Sequence, residues 1–151
     1  MLLLLFEIGN GRYALEVNQI IEIVPLVKFK KIPHSPDYVA GLMNYRGKGL
    51  PVIDLNLLVD SLPFEDLLST RIIIIHNPFH TKATTPLALI ANNVIETVRV
   101  EMTKPPLSGI IMDKALYGDT ANTETSDMIQ WFNPQKMLPE KEVSILFDAE
   151  E

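Results

Sequence analysis

The chain has 151 residues, of which 47% are hydrophobic and 21% charged, and this size and composition suit one packed domain or two small lobes sharing a core. With 13 basic and 19 acidic side chains the net charge is −6, which disfavours nucleic acid as the main partner because phosphate contacts need clustered Lys and Arg. There is no cysteine, and this excludes disulfides, thiolate catalysis and Cys-ligated metals.

The opening segment predicts a β-hairpin. Met1 to Phe6 is a short apolar run without a basic start or a small-residue cleavage site, so we interpret Leu2 to Ile8 as a buried first strand and not as part of a signal peptide. Gly9-Asn10-Gly11 provides a tight turn, and Tyr13 to Val17 alternates in a way that predicts pairing back across it. No apolar stretch reaches transmembrane length, so we expect a soluble, cytoplasmic protein.

Two further strands and a short helix are predicted before residue 41. Ile20 to Leu26 is mainly apolar. Apolar and basic residues alternate from Val27 to Lys30, which predicts a strand with one solvent-exposed face. Ser35-Pro36 predicts the start of a short helix that Gly41 would end, with Ser as the N-cap. We interpret the one basic cluster as a solvated edge; it comprises Lys28, Lys30 and Lys31.

Residues 41–55 are the most informative part of the chain. They read Gly-Leu-Met-Asn-Tyr-Arg-Gly-Lys-Gly-Leu-Pro-Val-Ile-Asp-Leu, which predicts two short apolar strands around a glycine-rich turn with Arg46 at the bend. Asp54 is placed to cap a short helix from Leu55 to Leu58, and capping is a better explanation of this carboxylate than catalysis.

The second half predicts more strands. Arg71 to His76 is β-branched and predicts a strand buried on both faces, followed by a polar loop and strands at Leu87 to Ala91 and Val94 to Val100. Thr120 to Asp127 has almost nothing to bury, so we expect a mobile loop. Met128 to Phe132 predicts a late strand.

An internal repeat predicts how these strands are organised. Tyr13 to Val24 aligns with Leu87 to Val98 at a constant offset of 74 residues, and six of the twelve pairs are identical. Val52 to Asn56 is loosely echoed by Ile129 to Asn133. Two copies of one small β unit, packed side by side as barrels, would satisfy this pattern and leave few free sheet edges. The alternative is chance similarity between two Val/Ile-rich hairpins.

The sequence contains no arrangement of residues typical of an enzyme. His76 and His80 have the spacing of a zinc helix, but Pro78 interrupts that helix and no Glu follows the first His. Glu22 and Glu96 are a symmetric pair from the repeat and not an acid/base couple. We therefore expect no catalytic residues, no cofactor and no metal.

Arg46 has no simple structural explanation. An arginine buried in an apolar hairpin must find hydrogen-bond acceptors. It could fasten two lobes together through backbone carbonyls, or reach a cleft and bind a partner, and the sequence leaves both alternatives open. Asn44, two residues earlier, is predicted to face the same side of the strand and to brace the arginine.

Residues 41–55 resemble the signature of the CheW-like adaptor family of bacterial chemosensory systems: Gly-x-x-Asn-x-Arg-Gly, three residues, then Pro-Val-x-Asp-Leu. Phe6 to Gly9 with Arg12 to Val17 resembles the family's opening hairpin, and Ile32-Pro33 with Pro36 to Gly41 resembles its entry to the motif. The resemblance implies an all-β fold of two SH3-like, five-stranded barrel lobes packed side by side. Residues 1–151 would form one domain, with repeat units that begin near residues 13 and 87.

The resemblance also implies a function. CheW-like proteins are non-catalytic adaptors that couple chemoreceptors to a CheA-type histidine kinase. They bind the cytoplasmic tip of the receptor in the cleft between the barrels, bind the regulatory domain of the kinase, and so lie beside the inner membrane in receptor arrays without entering it. The partner-binding residues implied here are Ile20, Glu22, Asn44, Arg46 and Gly47.

Two features qualify the resemblance. Ala91-Asn92 stands where the family commonly has Val-Asp, and Ser108 to Asp127 matches loosely. The start at Met1-Leu2-Leu3, Leu68 to Arg71 and Tyr117 to Asp119 resemble Wsp-type adaptors, which serve cyclic-di-GMP signalling.

The alternative function is a double β-barrel that binds a small ligand or an oligosaccharide. A cleft for such a ligand would be rich in aromatic residues, which make up only 7% of this chain.

Overall fold

The computed structural model describes residues 1–60, 62–65, 68–79, 84–112, 128–139 and 142–143. The predicted loop from Thr120 to Asp127 lies outside these residues. Short 3-10 turns lie at Val17–Gln19 and Pro134–Lys136, and α1 spans Leu55–Asp60. The strands of the described part are β1 (Leu2–Ile8), β2 (Gly11–Glu16), β3 (Ile20–Pro25), β4 (Val39–Tyr45), β5 (Lys48–Asp54), β6 (Arg71–Ile75), β7 (Leu87–Ala91), β8 (Asn93–Arg99), β9 (Ile110–Met112) and β10 (Met128–Trp131).

The strands form two five-stranded sheets. Lobe A has the order β8-β1-β2-β10-β9, and lobe B has the order β3-β6-β7-β5-β4. Neighbouring strands are antiparallel except for β2 with β10 and β5 with β7, which are parallel. The architecture is the predicted pair of SH3-like lobes, with the short helix α1 directly after β5.

The two lobes have corresponding topologies, and each takes strands from both halves of the chain. Strands β1 to β5 correspond to strands β6 to β10 in the same sequence. Replacing each strand of lobe A by its counterpart gives the strand order of lobe B. Ala14 lies opposite Leu5 and Trp131, and Ala88 lies opposite Ile74 and Val52. Ala14 and Ala88 therefore occupy corresponding places in the central strands.

These register pairs correct one detail of the repeat. The residue that corresponds to Val52 is Trp131, because each lies opposite the matching alanine across a parallel pair. The echo predicted from the sequence matched Val52 to Ile129, two residues too early. A shift of two keeps the same side-chain face, which is why the apolar pattern did not reveal it.

Three hydrophobic clusters explain why several strands are continuous apolar runs. Alternate residues of β1 point into lobe A (Leu3, Leu5) or into a core shared by both lobes (Leu4, Phe6). β6 divides in the same way between the interior of lobe B and the shared core. Because both faces of these strands are buried over most of their length, consecutive positions are apolar, and the polar residues Glu7 and Arg71 lie near the strand ends.

The shared core holds the lobes together. Phe6 packs against Tyr13 and Phe132, with ring centroids 5.9 and 5.7 Å away. Leu138 and Val143, from the last described residues, are also buried there. The lobes are thus joined by an apolar interior continuous with their own sheets.

The helix predicted at Ser35-Pro36 is wrong. The chain makes turns in this region and enters β4 at Val39, so Gly41 lies inside a strand. Its φ is +150°, and a Cβ at this position would lie 2.3 Å from the carbonyl oxygen of Lys30. Gly41 is needed because another backbone segment crosses it closely, and not because a helix ends there.

The crossing segment also differs from the prediction for Val27 to Lys30. In place of a strand, the structure has one isolated bridge between Lys30 and Leu42. It consists of two backbone hydrogen bonds: Lys30 N to Leu42 O (2.8 Å) and Leu42 N to Lys30 O (2.7 Å). The alternating pattern of this segment leaves Phe29 packed against the interior of lobe B while Lys28 and Lys30 are exposed.

Candidate functional site

The β4–β5 turn places Arg46 at the tip of a hairpin. Tyr45 lies opposite Lys48, so Arg46 and Gly47 are the two turn residues, with φ of 51° and 84°. Two positive φ values define the turn geometry that matches the right-handed twist of paired strands. An arginine in this conformation carries a strain of about 1 kcal/mol or more, which is typical of residues retained for their side chain.

Asn44 shapes this turn. Its Oδ1 accepts a hydrogen bond from Gly47 N at 3.0 Å, which closes the hairpin from the side. This bond satisfies a backbone donor of the turn and favours the left-handed conformation of the two turn residues. The predicted bracing of the Arg46 side chain by Asn44 is therefore wrong, because the carboxamide binds the backbone.

Glu22 is the centre of a small polar cluster, which we call the edge cluster: Glu22, Tyr45 and Arg46. Glu22 Oε2 accepts hydrogen bonds from the Tyr45 hydroxyl and from Arg46 Nη2, the latter at 3.1 Å. The Arg46 guanidinium also lies over the Tyr45 ring, 5.2 Å from its centroid. Glu22 is on β3 and Tyr45 on β4, the two edge strands of lobe B, so the cluster joins opposite edges of one sheet.

The edge cluster is open to solvent. The Arg46 side chain is 76% exposed and the Glu22 side chain 35%. The hydrogen bond to the Glu22 carboxylate is the main cause that raises the pKa of Tyr45; burial adds to it, and the charge of Arg46 opposes it. Tyr45 therefore remains a neutral donor at physiological pH, and its carboxylate acceptor also binds the Arg46 guanidinium.

The structure brings together only part of the predicted partner-binding set. Glu22 and Arg46 are in direct contact, and Asn44 and Gly47 build the turn that presents Arg46. Ile20 lies at the start of β3, opposite Ile75, and packs against the shared core. The role of these five residues in partner binding stays a prediction.

One of the two alternatives for Arg46 is wrong. Its guanidinium is exposed and binds a carboxylate of its own lobe, so it does not fasten the lobes together. Tyr45 is the residue that the sequence reasoning missed. Its acceptor lies 23 residues earlier, and the only local signal was a hydroxyl-bearing aromatic next to the arginine.

Asp54 fixes the backbone beside the hairpin. Its buried carboxylate accepts from Asn56 N (3.0 Å) and Leu57 N (3.4 Å) at the start of α1, and from Phe64 N (3.0 Å). Burial raises its pKa, while these three hydrogen bonds oppose the shift. The predicted helix cap is confirmed, and the carboxylate also holds the loop after α1.

The remaining candidate groups do not converge. His34 and His76 are exposed and lie far apart in the chain, and His80 is outside the described residues. Among the residues with described positions, no group of three or more His, Asp or Glu could hold a metal ion. No helix within the described ranges is long and apolar enough to cross a membrane.

Comparison with known proteins gives consistent results. The family model described as "CheW-like domain" matches residues 2–142. A chemotaxis protein CheW of Helicobacter pylori is 40% identical over 52 residues, covering 34% of this chain and 32% of that protein. A chemotaxis protein CheW of Bacillus subtilis is 34% identical over 73 residues, covering 48% and 47%. The matched segments thus span about a third to a half of these relatives.

A solved structure shares the fold. The crystal structure of the scaffolding protein TtCheW from Thermoanaerobacter tengcongensis superposes with a TM-score of 0.68, over 93% of this chain and 89% of that one. The sequence identity is 23%. At this identity the likeness concerns the arrangement of the two lobes.

Proposed function

The chain belongs to the CheW-like family, and we propose that it is a non-catalytic adaptor that couples chemoreceptors to a CheA-type histidine kinase. Its partners would be the cytoplasmic tip of the receptor and the regulatory domain of the kinase, at receptor arrays on the cytoplasmic side of the inner membrane. The observation that carries the proposal is the exposed edge cluster, in which Tyr45 and Arg46 of the family's signature hairpin contact Glu22 of β3. Membership of the Wsp-type branch stays a prediction.

The geometry of Arg46 suits an anchor for a polar partner. A guanidinium offers five N–H donors in a planar fork, and within the described chain only the Nη2 bond to Glu22 engages it. Carboxylates and helix-terminal carbonyls of a helical receptor tip would match the remaining donors. Since Glu22 and the Tyr45 ring already hold the guanidinium, less side-chain freedom would be lost on binding.

Substitution of Arg46 tests this role. We expect Arg46→Ala to weaken binding of both partners by about 2 kcal/mol or more, roughly thirtyfold, as loss of an arginine anchor does. The melting temperature should change little, because an exposed ion pair contributes less than about 1 kcal/mol. Arg46→Lys should not restore binding, since an ammonium cannot reproduce the planar fork.

Affinity for the receptor tip and for the kinase regulatory domain should be measured by calorimetry beside the melting temperature of each variant. Arg99→Ala is the matched control, because Arg99 is an exposed arginine on lobe A. The proposal fails if Arg46→Ala binds as Arg99→Ala does, or if its weaker binding follows only from unfolding.

A further inference from the structure

A polar cleft lies where the two lobes meet and shares no residue with the edge cluster. On the side of lobe A it is lined by the end of β1, the β1–β2 turn and the start of β8, and on the other side by α1 and the loop between α1 and β6. Its volume is about 370 Å³, which is within the range of small-ligand sites and far above the volume of about 30 Å³ that one water molecule takes up. The carboxylates and carboxamides that line it belong to Glu7, Asn10, Asn56, Glu65, Asn92 and Asn93.

Hydrogen bonds fix the loop between α1 and β6 as one wall of the cleft. Glu65 N donates to Asn92 Oδ1 at 3.2 Å, and the carbonyl oxygen of Glu65 accepts from the Thr70 hydroxyl at 2.5 Å. Phe64 N donates to the buried Asp54 carboxylate at 3.0 Å. The loop is therefore held to the ends of β5 and β7 by the protein itself, so a ligand would enter a site that is already formed.

Two carboxylates give the cleft a negative charge. Glu7 and Asn93 lie directly opposite each other in β1 and β8, so their side chains share one face of the sheet, and Glu65 adds a carboxylate from the loop. Among the residues with described positions, no Lys, Arg or His lines the cleft, and neither carboxylate makes an ion pair. Arg12 lies opposite Glu7 in β2 but is not part of the lining. The cleft therefore favours a positively charged occupant.

Asn56 adds a buried carboxamide that has no partner in the described part of the chain. The residue is 3% exposed and lines the cleft. Its backbone N–H donates to Asp54, but its side chain makes no hydrogen bond to another described residue, and its buried Oδ1 is unpartnered. A buried amide oxygen without a donor destabilises a fold, whereas a donor that reaches it from the cleft removes this cost. The position therefore suits a ligand that carries N–H groups.

We propose that this cleft binds a guanidinium group, either of a free small molecule or of an arginine side chain from a partner protein. A guanidinium carries a positive charge and five N–H donors in a planar fork, which match the carboxylates of Glu7 and Glu65 and the carboxamide of Asn56. A ligand in this place would contact both lobes. The site does not depend on the proposed function.

A metal ion matches the cleft less well. A hard cation such as Ca²⁺ takes about six to eight oxygen ligands, usually with several carboxylates among them. Within the described residues, no group of three or more His, Asp or Glu could hold a metal ion. A neutral polyol could bind the carboxamides but would leave the two carboxylates without an opposite charge.

NMR titration of the isotope-enriched full chain tests the site with two probes. Methylguanidinium represents a free ligand, and N-acetyl-arginine amide represents an arginine side chain of a protein. We expect saturable shifts of the backbone amide signals of residues 7, 10, 56, 65, 92 and 93 and of the side-chain amide signal of Asn56. Both probes should bind, and the tighter one identifies the source of the guanidinium.

Removal of the two carboxylates should weaken this binding. We expect Glu7→Gln with Glu65→Gln to raise the dissociation constant about tenfold or more, because each carboxylate makes a charge-assisted hydrogen bond to the probe. Asp37→Asn with Glu101→Gln is the matched control: it changes the net charge equally at two exposed residues that do not line the cleft, and it should leave the dissociation constant unchanged.

Asn56→Leu separates binding from stability. It removes the carboxamide at similar size, so we expect weaker binding of both probes and no fall in the melting temperature of the ligand-free protein. If this variant does not fold, the pair of carboxylate substitutions still decides the question. The proposal is overturned if neither probe gives saturable shifts of these signals, or if the two double variants bind equally well. Equal binding of glycerol, or binding of Ca²⁺ at these residues without binding of either probe, would also overturn it.

Discussion

Glu22 binds two neighbouring residues of the hairpin, Tyr45 and Arg46, and these two also contact each other. Its carboxylate accepts from the Tyr45 hydroxyl and from Arg46 Nη2, while the arginine also lies over the tyrosine ring. Removing the carboxylate would leave the arginine on a strained turn without its acceptor. The orientation of Arg46 therefore depends on a residue of another strand.

The titration of Tyr45 reports on this contact. The bond to Glu22 raises the pKa of Tyr45, so this interaction stabilises the fold below about pH 10 and is lost as pH rises through the raised pKa. We expect Glu22→Gln to lower the pKa of Tyr45, because the neutral amide removes the negative charge while Arg46 still favours the phenolate. NMR of the tyrosine ring carbons between pH 8 and 12, assigned with Tyr45→Phe, measures the change.

Glu96→Gln is the matched control for this titration. Glu96 lies opposite Leu5 in lobe A as Glu22 lies opposite Ile74 in lobe B. An unchanged pKa of Tyr45 in Glu22→Gln, or the same change in Glu96→Gln, would contradict the assigned contact.

At the scale of elements, β4 is shaped by the segment that crosses it. The bridge between Lys30 and Leu42 supplies the only backbone pairing on the outer side of β4 within the described residues. It forms because Gly41 lets the two backbones approach each other closely. This crossing brings the lysines of residues 28–31 to the signature hairpin.

Replacement of Gly41 tests the importance of this crossing. A Cβ at residue 41 would lie 2.3 Å from Lys30 O and 2.7 Å from Lys30 C, both backbone atoms. We expect Gly41→Ala to reduce the free energy of unfolding by about 1–3 kcal/mol, as overpacking does. Urea unfolding followed by fluorescence of Trp131, the single tryptophan, measures the loss.

Gly49→Ala, in the partner strand of the same hairpin, is the matched control. The nearest atom to a Cβ there is a Leu42 side-chain carbon at 3.9 Å, and Gly49 needs no positive φ. We expect this variant to differ from the parent by less than about 0.5 kcal/mol. Equal losses in the two variants would show that the crossing does not require a glycine.

At the scale of the whole molecule, neither lobe is built from one half of the chain. Lobe A combines β1 and β2 with β8, β9 and β10, and lobe B combines β3, β4 and β5 with β6 and β7. We propose on this basis that the chain is one domain made of two pseudo-repeated units that exchange strands. The shared core would then be formed only when both lobes are complete.

Division of the chain tests this organisation. Fragments 1–80 and 81–151 each lack strands of both sheets, so we expect neither to show cooperative unfolding alone. Mixed in equal amounts, they should recover the circular dichroism spectrum of the intact chain. The intact chain should unfold in one transition, with coincident far-UV and fluorescence curves. A cooperative transition in either fragment alone would show that the lobes are independent.

The local elements could be predicted from the sequence, because their signals lie within a few residues. Alternation and apolar runs predicted β1, β2, β6, β7 and β10, and the glycines and Arg46 predicted the signature hairpin. Asp54 was correctly predicted as a cap, since a cap binds backbone two and three residues away. The motif also indicated the family.

The distant segments that meet could be identified only in the folded chain. The partner of Arg46 lies 24 residues earlier, and the need for Gly41 arises from a backbone segment that crosses it. The division of the strands between the two sheets was equally invisible, because an apolar strand such as β1 or β6 could pair in either sheet. Hydrophobic periodicity predicts that one face of a strand or helix is buried. Which other element covers that face depends on how surfaces fit together across the whole molecule, so only the folded structure shows it.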